Sequence, residues 1–135
     1  MVVWSGCSQA PQSEQLLHEL KSELAMNAAI QDAYIFFLTD LDCATCNAHT
    51  FRRINSVIND NPNVPMFGIF LTTSKKEVAE QTSFFYSINS AINWTVTKNV
   101  KLFGRVSQGS DKHHSPFMII IRKKRIESIV SLSKG

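Results

Sequence analysis

Tyr34-Ile35-Phe36-Phe37-Leu38 is an unbroken apolar and aromatic run, and the chain passes from it within a few residues to Cys43-Ala44-Thr45-Cys46 at the head of a helical pattern. A strand with no polar alternation is dry on both faces, which is the signature of a central strand rather than a sheet edge. Such a strand obliges the chain to supply helices for both sides of the sheet. The 135 residues, 44% of them hydrophobic, suffice for one such core and are too few for two comfortable domains.

The remaining periodicities agree with that demand. Leu16, Leu17, Leu20, Leu24 and Ala28 recur at helical spacing over residues 14 to 30, with Ser13 as N-cap and Glu14 in the first turn. A second helix is expected from Cys43 to about Asn59, with Phe51, Ile54 and Ile58 inward and Asn61-Pro62-Asn63 ending it. Val64 to Thr72 reads as another buried strand, and residues 75 to 90, from Ser74 as cap, resume a helical pattern through Val78, Phe84, Phe85 and Ile88. Ile92 to Val96 reads as a short strand and Val100 to Val106 as a short helix, followed by a loop over residues 108 to 112. Pro116 introduces a strand from Phe117 to Ile121, which pairs with Ile126 to Leu132 across the basic turn Arg122-Lys123-Lys124-Arg125. Helices and strands that alternate and then give way to a hairpin define an α/β chain whose central mixed sheet is flanked by helices.

The cysteine pair carries the chemistry. A strand ending before Cys43 delivers its sulfur to a helix N-terminus, where unpaired backbone N–H groups and the helix dipole favour the thiolate. Cys46 then lies one turn further along the same face, in reach of a disulfide with Cys43. This is the form of a thiol–disulfide exchange site, with Cys43 attacking and Cys46 resolving. Asp40 and Asp42 oppose the thiolate by like charge.

The third cysteine, Cys7, follows a short apolar start and the small residues Ser5-Gly6, and the chain then turns polar at Gln9-Ala10-Pro11-Gln12-Ser13. That pattern resembles the lipobox of bacterial lipoproteins, which implies lipidation at Cys7 and a membrane tether, although neither a basic leader nor a full apolar segment precedes it. The other reading is a plain disordered N-terminus. Residues 1–12 are therefore expected to be a signal remnant or tether, and residues 13–135 the folded domain.

The cysteine pair at a strand-to-helix junction, taken with Ser115-Pro116 just before a late strand, resembles the thioredoxin superfamily over residues 14 to 132. The resemblance implies a cis proline at Pro116 beside the cysteines, with the backbone of Ser115 binding an incoming substrate chain. The strand and short helix over residues 92 to 106 resemble the branch of periplasmic cytochrome-maturation thioredoxins and alkyl hydroperoxide reductases. Asp42 and Thr45 depart from the Trp and Pro common in thioredoxins, and no sequence remains after the hairpin for the helix that usually closes the fold. The implied activity is exchange with protein thiols or disulfides, sustained by an upstream redox partner and needing no cofactor. The implied location is the bacterial cell envelope on the periplasmic side, with the cytoplasm as the alternative.

Rival chemistries fit less well. Peroxiredoxins place Thr three residues before the attacking cysteine, where this chain has Asp40. Sco-like copper-binding chaperones use two cysteines and a distant histidine on a related scaffold; Cys43, Cys46, His49 and His114 would be the ligand set here, but the cysteines are spaced CxxC rather than CxxxC. His113 lies in the same loop. A binding module retaining the scaffold without redox turnover is the third possibility. A net charge of +3, with the cations of residues 122–125 confined to one turn, argues against nucleic-acid binding. No Gly-rich phosphate loop or hydrolase motif occurs.

Overall fold

A computed structural model describes residues 10–39, 47–72 and 92–132. In chain order the elements are α1 (Ala10–Leu24), β1 (Ala33–Thr39), α2 (Asn47–Asp60), β2 (Met66–Leu71), β3 (Asn93–Thr97), α3 (Val100–Gly109), β4 (Phe117–Arg122) and β5 (Arg125–Ser131). The strands form one five-stranded sheet in the order β3-β2-β1-β4-β5. β1, β2 and β3 run parallel, whereas β4 is antiparallel to β1 and β5 to β4. This is the mixed α/β sheet that the sequence pattern requires.

Every residue of β1 is buried, as its composition demands, and its side chains divide between two cores. Ala33, Ile35 and Phe37 face the helices α1 and α3, through Leu16, Leu17, Leu20, Leu24, Leu102 and Val106. Tyr34, Phe36 and Leu38 face Ile54 of α2, together with Phe70 and Ile92. Phe36, Phe37, Phe70 and Phe117 are almost wholly enclosed. Burial of an aromatic or aliphatic side chain of this size stabilises a fold by about 1.5–3 kcal/mol.

Several local expectations need correction. The first helix runs from Ala10 to Leu24 rather than over residues 14 to 30, and Ser13 lies inside it, buried, instead of capping it. Pro11 is tolerated in the first turn, where its missing N–H has no intrahelical partner. At the other end Ala25 takes φ 49°, Met26 N–H donates to Lys21 O at 2.9 Å and Ala25 N–H to Ser22 O at 3.3 Å. These two bonds are a Schellman stop, with Ala where Gly is usual. Ala28 thus lies beyond the helix. α3 continues to Gly109, into the expected loop, and starts from an unforeseen cap: Asn99 Oδ1 accepts from Leu102 N–H at 3.1 Å.

β5 resolves an apparent conflict of period. Ile126 and Ile129 face the same core although three residues apart, because the β4–β5 register shifts between Ile120 and Ile121, a bulge that puts one extra residue on β5. The expected helix over residues 75 to 90, with Ser74 as its cap, falls outside the described residues. So do Cys7, Cys43 and Cys46.

Candidate active site

The site is built where β1 ends. β1 and β4 pair antiparallel from Ala33↔Ile121 to Phe37↔Phe117, so Pro116, the residue before β4, comes to the end of β1 where Leu38 and Thr39 stand. Residues 40–46, which include Cys43 and Cys46, join Thr39 to Asn47, the first residue of α2. The cysteine sulfurs themselves lie outside the described residues, and so does the side chain of His49, a first-turn residue of α2.

The Ser115–Pro116 peptide is cis. Pro116 is buried and Ser115 half-buried. The loop that carries them is pinned to β5 at successive points. Ser110 is fully buried and bridges to Ile129. Asp111 Oδ1 accepts from Ser131 N–H at 2.9 Å and from the Ser110 hydroxyl at 3.1 Å. The Ser131 hydroxyl donates to His114 O at 2.5 Å, and Leu132 N–H donates to Pro116 O at 2.7 Å.

Leu132 also serves the other wall. Arg53 of α2 donates through a guanidinium nitrogen to Leu132 O at 3.1 Å. The helix after the cysteines and the loop before β4 therefore meet through one residue of backbone. In the sequence Arg52-Arg53, one to two turns after Cys46, reads as a solvated helix face, and nothing there points to a bond with Leu132. Asp111 was equally inconspicuous as a loop residue.

Two electrostatic features follow. For Asp111, burial is the largest single influence and raises the pKa, but the Ser131 N–H, the Ser110 hydroxyl, the Lys112 N–H and the Lys112 charge together outweigh it, leaving the carboxyl below its ordinary value. His113 takes φ 58°, and its Nδ1 lies 2.6 Å from Ser107 O. A carbonyl only accepts, so in the neutral ring Nδ1 carries the hydrogen and Nε2 the lone pair. Ser107 returns a bond from its hydroxyl to His113 O at 3.3 Å. His114 is exposed and takes part through its backbone carbonyl.

Among the described residues no group of three His, Cys, Asp or Glu side chains is arranged to hold a metal ion, and no helix is long and apolar enough to cross a membrane. Comparison with protein-family models, curated proteins and solved structures finds no match to this chain. Fold and site define an α/β protein with a five-stranded mixed sheet, whose cysteine-bearing link and Ser115–Pro116 loop adjoin the same end of its central strand.

Proposed function

We propose that this chain is a thioredoxin-like thiol–disulfide oxidoreductase in which Cys43 attacks and Cys46 resolves. One juxtaposition carries the reading. Cys43-Ala44-Thr45-Cys46 lies in the link from β1 to α2, and Ser115–Pro116 enters β4 beside the same end of β1. The sheet order, three parallel strands followed by an antiparallel hairpin, is compatible with that fold and supports the reading further.

In the reducing direction the Cys43 thiolate attacks one sulfur of a substrate disulfide, forming a mixed disulfide and releasing the other substrate sulfur as a thiolate. Cys46, as thiolate, then attacks the Cys43 sulfur and releases the second substrate thiolate. Two electrons pass to the substrate, and Cys43 and Cys46 are left as a disulfide for an upstream dithiol to reduce. Oxidation of a substrate dithiol is the same sequence reversed. A helix N-terminus at Cys43, as the sequence pattern suggests, would favour its thiolate, while Asp40 and Asp42 would oppose it by like charge. The backbone of Ser115 offers hydrogen bonds to an extended substrate chain. The substrates are protein thiols or disulfides, met in the cell envelope by a domain tethered through Cys7.

Thiol trapping with a mass tag tests the proposal. Two cysteines should be protected after mild oxidation and released by dithiothreitol; if Cys43 and Cys46 stay free while the fold is intact, the proposal fails. Cys46→Ala should accumulate mixed disulfides through Cys43, and Cys43→Ala should not. The reverse pattern would exchange the two roles.

A further inference from the structure

The β4–β5 turn breaks a local rule. A two-residue hairpin loop of type I′ needs positive φ at both central positions, which Asn-Gly supplies cheaply. Here the two residues are Lys123 at φ 54° and Lys124 at φ 62°, side chains that enter this region at a cost. The conformation is held from below. Lys123 N–H donates to Asp32 Oδ1 at 3.0 Å and Lys124 N–H to Gln31 O at 2.9 Å, so the backbone of the tip is docked on the loop before β1.

With its backbone fixed, the turn presents Arg122, Lys123, Lys124 and Arg125 in succession, all exposed. Arg122 is committed: it pairs with Glu127 at 2.5 Å and donates to the Tyr34 hydroxyl at 3.1 Å. Among the described residues, the side chains of Lys123, Lys124 and Arg125 enter no ion pair. An energetically disfavoured turn that is kept rigid and crowned with cations points to a use for those cations, because strain at an exposed position persists where function requires it.

We propose that this tip docks the domain on an anionic lipid surface. A two-residue turn is by itself far too small for a stable protein interface, which needs about 800 Å² from each partner. It also offers no track for a nucleic-acid backbone. A plane of anionic headgroups requires neither, because basic clusters are drawn to it by charge alone. β4 runs from Phe117, next to Pro116, at one end of the sheet to Arg122 at the other. Docking through the turn therefore leaves the Ser115–Pro116 end directed away from the surface. The inference is independent of the redox reading.

The test exploits the strain. Full-length chain carrying Cys7→Ser, which removes any lipid, is sedimented at low ionic strength with vesicles of phosphatidylcholine alone or mixed with phosphatidylglycerol. The expected result is binding to the anionic vesicles only, falling as salt is raised. K123N/K124G should weaken that binding about thirty-fold, at about tenfold per 1.4 kcal/mol and roughly 1 kcal/mol per cation. The same substitutions should raise the urea midpoint, since they install the favoured turn, so lost binding cannot be ascribed to unfolding. Equal binding to both vesicle types, no binding to either, or unchanged affinity of K123N/K124G would overturn the proposal. Tighter binding to polyglutamate or duplex DNA than to anionic vesicles at matched ionic strength would overturn it in favour of a macromolecular partner.

Discussion

Gly68→Ala should be among the most damaging single-methyl changes available to this fold. Gly68 of β2 pairs with Trp94 of β3, and the indole lies across the glycine. A Cβ placed on Gly68 would sit 2.2 Å from Trp94 Cε3, 2.5 Å from Cζ3 and 2.6 Å from Cδ2. Carbon atoms pack at about 3.5–4.0 Å, so the ring would have to retreat by more than about 1 Å or the strands part. These are atoms of the fused ring system, not the end of a flexible chain. Overpacking of this kind costs about 1–3 kcal/mol, and swinging a half-buried indole into water forfeits apolar contact as well. A loss of about 2–3 kcal/mol follows, or roughly 6–15 °C in Tm for a chain of this length. Urea denaturation followed by far-ultraviolet circular dichroism would measure it for Gly68→Ala, Trp94→Ala and the double variant. Trp94→Ala opens the space that the new methyl needs, so the double variant should be more stable than the sum of the single effects by about 1–3 kcal/mol. Additive effects, or a Gly68→Ala loss below about 0.5 kcal/mol, would refute the packing argument.

Two further outcomes are expected. Ala25→Gly should stabilise the fold by about 0.5–1 kcal/mol in equilibrium denaturation, because glycine adopts the positive φ at the end of α1 without the Cβ penalty, less its larger unfolded-state entropy; a neutral or lowered midpoint would count against the Schellman stop. Asp111 has a carboxyl pKa depressed in the folded state, so its contribution is present above the ordinary value of 3.8 and is lost as the pH falls through the lower folded value. The stability advantage of wild type over Asp111→Ala should accordingly narrow below that pH, and a gap that stays constant in acid would show that the charge is not what holds Ser131.

The sequence makes the centre of this molecule legible and leaves its joints obscure, for a physical reason. Tyr34 to Leu38 could be read as a central strand because burial on two faces leaves a composition that no edge strand or surface helix tolerates. Phe117 to Ile121 and the basic hairpin were legible for similar reasons, and the bounds of β3 differ from expectation by a single residue. The start and end of α1 escape the sequence because Ser13 has the chemistry of a cap without the position, while the actual stop uses Ala25, which has no stop signal of its own. The bulge in β5 hides in the spacing of Ile126 and Ile129, which fits neither a strand nor a helix period cleanly. At the candidate site, Cys43, Cys46, Ser115 and Pro116 stood out by spacing and resemblance. Asp111, Ser131, Leu132 and Arg53 did not, since each acts through a backbone group of a residue distant in sequence, and a backbone partner leaves no mark on composition.

That distribution bears on how the site would be held. The Ser115–Pro116 loop has no secondary structure of its own between Gly109 and Phe117 apart from the Ser110 bridge. Its position depends on the last turn of α3 through His113 and Ser107, and on the end of β5 through Asp111, Ser131 and Leu132. β5 in turn is an edge strand, braced by β4 on one side and tied by Arg53 to α2. A substrate chain hydrogen-bonding to Ser115 would therefore load the β5 edge, and through Leu132 the helix that follows the cysteines. Loss of the Arg53 bond would loosen that connection without touching the cysteines, so under the proposed reading it separates the geometry of the candidate site from the chemistry of its sulfurs.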